Sequence, residues 1–301
     1  MNLFETIRIA FFSLIQNRMR ALLTTLGIVI GVGAVITLIT LGQGVEQYVR
    51  DQFQSLGSNL LIISSQQPKS DTKTRIEPLT ITDLEALSGP NVAPSLEQVG
   101  GQLSVVAFLS AEGENLRTSA RGVTANMSEI LNWEPKIGRF ITQDDINRYN
   151  RVAVLGEEAV EKLYGSVEVD PTGATLRLNN QAFTVVGVMA RRGSGFTNDN
   201  VAVFVPISTA QTRLMNARYR DTLAVSTLYA QARFDNLAAA AEAEVETYFD
   251  RTHRIHAEDE RDFIITNQAS LLETVGQVMA ILTMFLGLIA SVSLLVGGIG
   301  I

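Results

Sequence analysis

"NRMRALLTTLGIVIGVGAVITLITLGQG", residues 17–44, sets two arginines directly before an uncharged run interspersed with glycine. From Ala21 to Leu41 there is no Asp, Glu, Lys, Arg or His. As an α-helix rising about 1.5 Å per residue, this run is roughly 30 Å long, the thickness of a bilayer's hydrocarbon core. A secretory signal has a shorter apolar stretch of about 7–15 residues closed by a small-residue cleavage site. Here the run continues into Gly42-Gln43-Gly44 and the amphipathic "VEQYVR" at 45–50. It reads as an uncleaved transmembrane helix whose helical phase continues outside the membrane.

The far end mirrors the near one. "VGQVMAILTMFLGLIASVSLLVGGIGI", from Val275 to Ile301, is also uncharged and long enough to span. Between the two ends lies a polar middle. The chain has a formal charge of −7, yet residues 1–43 carry Arg8, Arg18 and Arg20 against Glu5, so the rest carries −9. By the positive-inside rule the arginines hold the N-terminus in the cytoplasm, which makes residues 44 to about 274 extracytoplasmic. The chain has no cysteine, so no disulfide or thiolate site enters the argument, and a middle of this size can be held by its own core. Its length exceeds one typical domain, and two subdomains are expected.

Before the first span, "FETIRIAFFSLIQNR" puts Phe4, Ile7, Phe11, Leu14 and Ile15 on one helical face, the pattern of a helix lying in the membrane interface. After the span, "NLLIISS" (59–65) reads as a strand and "QQPKSDTKTRIEP" (66–78) as a loop. Thr82 with Glu85 has the spacing of a capping box for a short helix ending at Ser88-Gly89-Pro90. "QLSVVAFL" (102–109) and "NLRTSARGV" (115–123) flank the turn-like "SAEGE" and predict a hairpin.

A matching set lies downstream: strand-like "TLAVSTLYAQARF" (222–234), a helix "DNLAAAAEAEVETYFDR" capped at Asp235, and strand-like "DFIIT" (262–266). Two strand–helix–strand units separated by a long insert predict a split βαβ, ferredoxin-like domain. The insert, about 125–220, holds strand candidates "RVAVLG", "ATLRLNNQAFTVVGVMA" with a turn at Asn179-Asn180, and "VAVFVPI", around a helix "EEAVEKLYG". "NQASLLETVGQV" predicts a helix that starts at Asn267 and runs into the second span. The expected class is thus a membrane protein of α+β type, two spans with stalk extensions flanking a ferredoxin-like subdomain that carries a β-rich insert.

Catalytic signals are absent. There is no G-x-x-x-x-G-K-[ST] loop, H-E-x-x-H or G-x-S-x-G. Ser70 to Lys73 matches S-x-x-K but lies in a polar loop without the companion S-D-N and K-T-G motifs. His253 and His256 in "HRIHAEDE" have spacing compatible with a shared metal, but the charge density there favours a solvated connecting loop. Asn126-Met127-Ser128 is a formal glycosylation sequon, short enough to arise by chance. No catalytic residue, metal ligand or cofactor-binding residue is expected in this chain, and no nucleic-acid partner.

Glycine carries more information. Gly27 and Gly31 form G-x-x-x-G with Gly33 beside them, and Gly287, Ser291, Gly297, Gly298 and Gly300 line the second span. Small residues let membrane helices approach closely where van der Waals packing is the main attraction. Two helices alone bury few such faces, so more membrane helices are implied than this chain contains.

The opening stretch, the following "LGSNLLII" and the terminal "LLVGGIGI" resemble the permease of MacB-type ABC transporters, in the macrolide-exporter and FtsX-like superfamily. Between them "EPKIGRFITQDD", "RVAVLGEEAVEKLYG", "FTVVGVM" and "VPISTA" resemble the family's extracytoplasmic domain, in order along essentially the whole chain. The resemblance implies four spans, a permease homodimer, a cytoplasmic ABC ATPase and, for some members, a periplasmic membrane-fusion adaptor. ATP and Mg would then sit on the partner subunit, none in this chain. It also implies that the chain, reaching Ile301 inside the second span, is a truncated piece of a longer permease in the bacterial inner membrane.

The expected divisions are an interfacial helix at 1–18, first span at 19–43, stalk at 44–58, outer subdomain at 59–124 and 221–266 with an insert at 125–220, stalk at 267–277 and second span at 278–301. Within them Asn17, Arg18 and Arg20 are expected to set topology and the position of the elbow, and Leu56, Gly57, Ser58 and Asn59 to join stalk to domain. The implied mechanism is mechanotransmission, in which ATP-driven closure of partner subunits moves the stalks and the outer domain expels substrate. The alternative from another class is a two-span sensor with an outer ligand-binding domain.

Overall fold

The computed structural model describes residues 16, 18–54, 59–68, 76–192, 199–256, 260–267, 274, 276–285, 287–289 and 291–292. It divides into two units, Met1–Asp51 with Leu271–Ile301, and Gln52–Ser270. The interfacial helix expected before residue 16, Asn17, Ser70 to Lys73 and Gly297, Gly298 and Gly300 lie outside the described residues, as do Leu56, Gly57 and Ser58.

In the first unit, α1 (Arg18–Gln54) is one unbroken helix of 37 residues, about 55 Å long at 1.5 Å per residue. That exceeds the roughly 30 Å hydrocarbon core. Leu22, Val29, Ile30, Ile36 and Leu41 on it are exposed. Its threonines are satisfied within the helix, Thr37 Oγ1 donating to the Gly33 carbonyl at 2.8 Å and Thr40 Oγ1 to that of Ile36 at 2.9 Å, so neither hydroxyl needs water. The second apolar segment is helical at 276–285, 287–289 and 291–292 and exposes Ile281, Met284, Phe285 and Leu288. The two meet at Gly42, where an added Cβ would lie 3.0 Å from Met279 Sδ. Among the described residues no helix is long and apolar enough to cross a membrane.

The second unit is built on strands. β1 (Leu60–Ser65), α2 (Ile81–Leu87) and β2 (Leu96–Ala111) form one β–α–β unit, and β11 (Thr227–Ala232), α6 (Ala238–Thr252) and β12 (Phe263–Asn267) the other. Their strands lie in the order β12-β1-β11-β2, all antiparallel. Alternation splits β1 between two cores. Leu61 and Ile63 face Leu87, Val245 and Phe249 of the helices, while Leu60 and Ile62 face Met127, Ile130, Trp133 and Phe204. Burial on both faces is why this strand is an unbroken apolar run in place of an alternating one.

Between the units the chain forms β3 (Glu114–Val123), α3 (Met127–Ile130), β4 (Pro135–Gly138), α4 (Gln143–Asn147), β5 (Val152–Gly156), α5 (Glu157–Tyr164), β6 (Thr175–Leu178), β7 (Gln181–Met189), β8 (Val203–Pro206) and the small hairpin β9 (Arg218–Tyr219) and β10 (Thr222–Leu223). The pairings β2–β3–β8–β5–β7–β6 return to β2 through Leu109 opposite Leu178, a closed six-stranded ring. Full closure removes the strand edges. Ala107, Leu109, Leu155, Leu176, Phe183 and Val203 fill its interior, with Val160 and Leu163 of α5 in the same core. Two-residue turns with left-handed backbone, Glu112-Gly113 and Asn179-Asn180, close the β2–β3 and β6–β7 hairpins.

Five sequence expectations shift. The capping box of α2 is Thr80 with Asp83, not Thr82 with Glu85. Starting the helix at Ile81 sets Leu79 and Leu84 at N′ and N4, the positions of a hydrophobic staple. Asp235 opens a 3₁₀ turn, and α6 begins at Ala238 without a side-chain cap. The stretch 222–234 is interrupted between β10 and β11. Asn267 ends β12 opposite Leu61, so no helix starts there. Finally, β2 is 16 residues long, more than one sheet uses. Its first half pairs with β11 and its second with β3 and β6, so the β2–β3 hairpin assigned to 59–124 also walls the insert.

Candidate functional site

Two features of the second unit, which corresponds to the outer unit of the sequence expectation, can do work: the place where both apolar segments attach, and a polar cleft. β1 follows α1 by five residues, 55–59, and β12 precedes residue 268. These two strands are neighbours, with Leu61 opposite Asn267. Entry and exit of the outer unit therefore lie side by side at one end of one sheet. Asn59 fastens the entry: its Nδ2 donates to the Ala232 carbonyl at 2.5 Å, and the Ala232 N–H donates to the Asn59 carbonyl at 2.9 Å. Asn267 fastens the exit, its Nδ2 donating to Glu242 Oε2 at 3.0 Å on α6.

Among the small residues expected to pack helices, Gly31 is buried. Among the described residues, nothing lies within 4 Å of a Cβ added at Gly27, Gly33 or Gly287. Ser291 Oγ donates to the Gly287 carbonyl at 2.7 Å. Arg18 and Arg20 lie in the first turn of α1.

The cleft, roughly 310 Å³, lies between α2, the end of α6 and the β9–β10 hairpin, with Thr80, Asp83, Tyr248 and His253 among its lining. Its floor grows from the α2 cap. Thr80 N–H and Oγ1 donate to Asp83 Oδ2 at 2.8 and 2.7 Å, and Tyr248 OH donates to Asp83 Oδ1 at 2.9 Å. Burial, reinforced by the Asp83 carboxylate, pushes the Tyr248 phenol well above its ordinary value, so it remains a donor.

Beside it His253 Nδ1 lies 2.8 Å from Asp262 Oδ1, with the imidazole only 3% exposed. Asp262 Oδ2 accepts the Glu77 N–H at 3.1 Å. The pair thus ties the end of α6 to the start of β12 and to the segment before α2. His253 is therefore not part of a solvated loop, because the hydrogen bond to Asp262 and edge contacts with Phe249 and Phe263 hold it inside. Burial works to lower its pKa, but the bond and charge of Asp262, with Asp83 and Glu77 adding, raise it above the ordinary imidazole value.

A raised folded-state pKa gives stability that is full below the unfolded value of about 6.5 and is lost as pH rises through the folded value. His253→Gln is therefore expected to lower the melting temperature more at pH 6 than at pH 9, as read by thermal denaturation at both. A pH-independent loss contradicts the charged pair.

Sequence reading passed over Glu77, Tyr248 and Asp262, because they are far apart along the chain and none belongs to a motif, and it missed Asp83 by placing the capping box at Thr82 and Glu85. Among the described residues no three His, Cys, Asp or Glu side chains converge as a metal site.

A family model described as MacB-like periplasmic core domain matches residues 21–248. A macrolide export ATP-binding/permease protein from Azoarcus sp. (strain BH72) is 34% identical over 100% of this chain and 44% of its own length. A pyoverdine export ATP-binding/permease protein from Pseudomonas aeruginosa is 31% identical over 99% of this chain and 43% of its own. The chain thus spans less than half of these relatives. Among solved structures, the periplasmic region of MacB from Actinobacillus actinomycetemcomitans covers 76% of this chain and 98% of its own, at a TM-score of 0.60 and 20% identity, a likeness of fold.

Proposed function

The chain belongs to the MacB-like periplasmic core domain family, and from that premise we propose that it is the permease portion of a MacB-type ABC transporter. The observation that carries the mechanism is the pairing of β1 with β12. A displacement of either apolar segment reaches the same side of one antiparallel sheet, whose far strand, β2, is shared with the ring. Work done at the membrane would thereby become a change of shape in the outer unit.

In this reading α1 and the segment from 274 onward span the inner membrane, with Asn17, Arg18 and Arg20 at the cytoplasmic side and residues 44–274 outside. Leu56, Gly57, Ser58 and Asn59 join stalk to domain. The subdomain of β12, β1, β11 and β2 is the ferredoxin-like part, and the ring is its insert. ATP and Mg are bound by a cytoplasmic ABC ATPase, the permease works as a homodimer, and a membrane-fusion adaptor is a further partner outside. The names of the relatives support export as the direction of transport.

The test is affinity purification of the full-length protein from its native membrane. The expected result is co-purification of an ABC ATPase whose ATP hydrolysis depends on the permease. Recovery with a kinase or other signalling protein, and no ATPase, would instead support a sensor. Gly31→Leu fills the buried glycine position of α1 and is expected to weaken the homodimer, read by crosslinking in membranes. Undiminished crosslinking and coupled ATP hydrolysis would count against a packing role.

A further inference from the structure

The ring carries a depression of its own, where the β2–β3 and β6–β7 hairpins end side by side. It holds roughly 380 Å³ and is lined by Phe108, Ser110, Asn115, Arg177, Asn179 and Asn180. Strand register gathers an aromatic ring and positive charge on one face there. Ala107 and Leu109 point into the ring, which turns Val106, Phe108 and Ser110 outward. Arg117 stands directly opposite Phe108 on β3, and Arg177 opposite Ser110 on β6.

The ring's own packing does not use this face. Phe108 is 62% exposed and Val106 60%. Arg117 and Arg177 are exposed, and neither makes an ion pair among the described residues. Arg121, two positions further along the same face of β3, is by contrast paired with Asp199 at 2.5 Å. No Asp or Glu shares the outward face of 104–110, 115–121 and 175–177. In a chain of formal charge −7, two unneutralised guanidiniums beside an uncovered phenyl ring favour an anionic ligand with an apolar face.

Backbone bonding narrows the choice of ligand. Phe108 N–H donates to Asn179 Oδ1 at 2.9 Å, and the Phe108 carbonyl accepts the Asn179 N–H at 3.0 Å. Both main-chain groups that an added strand would need at this residue are taken, so a peptide cannot dock on Phe108 by strand pairing. Recognition falls to side chains. Ser110, Asn115 and Asn180 have no side-chain hydrogen-bond partner among the described residues, and their hydroxyl and carboxamides are suited to a ligand rich in hydroxyl groups. A pyranose offers such hydroxyls together with an apolar C–H face, and a carboxylate matches the guanidinium fork.

We propose that this depression binds a carboxylated saccharide. One sugar ring lies on Phe108, its carboxylate meets Arg177 or Arg117, and its hydroxyls meet Ser110, Asn115 and Asn180. The carboxylate could belong to the sugar ring, as in a uronic acid, or to a lactyl ether, as in a muramic acid. The inference stands on this face alone and does not depend on transport.

The experiment is titration calorimetry of the full chain in a detergent without a sugar headgroup. The probes are trigalacturonic acid and a disaccharide of N-acetylglucosamine and N-acetylmuramic acid. Controls are the trimethyl ester of trigalacturonic acid, which keeps the sugar and removes the charge, and triglutamic acid, which keeps the charge and removes the sugar. Saturable binding of at least one probe, about tenfold tighter than either control, is expected, and the tighter probe identifies the kind of carboxylate. Phe108→Ala and Arg177→Gln should each weaken it about tenfold, with the melting temperature unchanged because both side chains face solvent. Phe108→Trp should retain binding, since it keeps a flat ring at the site. No saturable binding of either probe, triglutamic acid or the ester binding as tightly as the probes, or affinity indifferent to Phe108→Ala and Arg177→Gln overturns the proposal.

Discussion

Asp145→Ala is expected to destabilise the outer unit by about 3 kcal/mol, the range in which a buried charge network loses its acceptor. Asp145 is 2% exposed and accepts five hydrogen bonds. Arg139 reaches it from two nitrogens at 2.6 and 3.3 Å, Asn150 Nδ2 at 3.0 Å, and Thr142 N–H and Oγ1 at 3.0 and 2.8 Å. It also completes the capping box of α4.

Alanine orphans donors from three residues at once. The loss stays at the low end of the range because Arg139 is half-exposed and can be hydrated. For a unit of this size, about 2–4 °C per kcal/mol makes the expected fall about 6–12 °C. Burial works to raise the Asp145 pKa, but the bonds from Arg139, Asn150 and Thr142 prevail and hold it below the ordinary carboxylate range. A lowered folded-state value gives stability that is present above about 3.9 and lost as pH falls. The penalty of the substitution should therefore be full at pH 7 and shrink below pH 4. A fall of under 2 °C, the same at pH 7 and pH 3, would contradict this account.

The larger functional effect is expected from four flexible residues, Gly-Ser-Gly-Ser, inserted between Ser58 and Asn59. Such a linker has an end-to-end slack of about 10–12 Å, enough to absorb a displacement of α1 before it reaches β1. The Asn59 bonds to Ala232 and the β1–β12 pairing remain on the far side of the insertion, so the outer unit should keep its melting temperature. With the partner ATPase present, export is expected to fall at least tenfold while ATP hydrolysis persists. Export at the unmodified rate would mean that the helices do not drive the sheet through this junction.

Local chemistry made much of this architecture readable. The Asn179-Asn180 and Glu112-Gly113 turns announced their hairpins, because few residues accept left-handed backbone. The apolar "LLII" of β1 announced a strand, and its burial on both faces, seen only in the structure, explains the unbroken apolar run. Helix starts were harder to place. "TITDLE" holds two overlapping capping patterns, and the choice falls to Asp83, whose second oxygen is claimed by Tyr248 from 165 residues away.

Closure of the ring was not legible, since it depends on Leu109 meeting Leu178, a pairing that no local period encodes. The cleft was hidden for the same reason. Asp262 meets Glu77 across 185 residues, and each of its groups alone looks like surface charge. "HRIHAEDE" reads as solvated by composition, yet packing between Phe249 and Phe263 takes His253 inside.

Placement of the outer unit across the membrane is the claim on which the rest depends, and the absence of cysteine from the chain makes it directly measurable. Phe108, 62% exposed on β2, and Gln16, exposed before α1, are each replaced by cysteine and treated with a membrane-impermeant maleimide in spheroplasts. Labelling of Phe108→Cys in intact spheroplasts, with Gln16→Cys labelled only after lysis, is the predicted result. The reverse pattern, or labelling of both only after lysis, would place the domain in the cytoplasm and contradict the account.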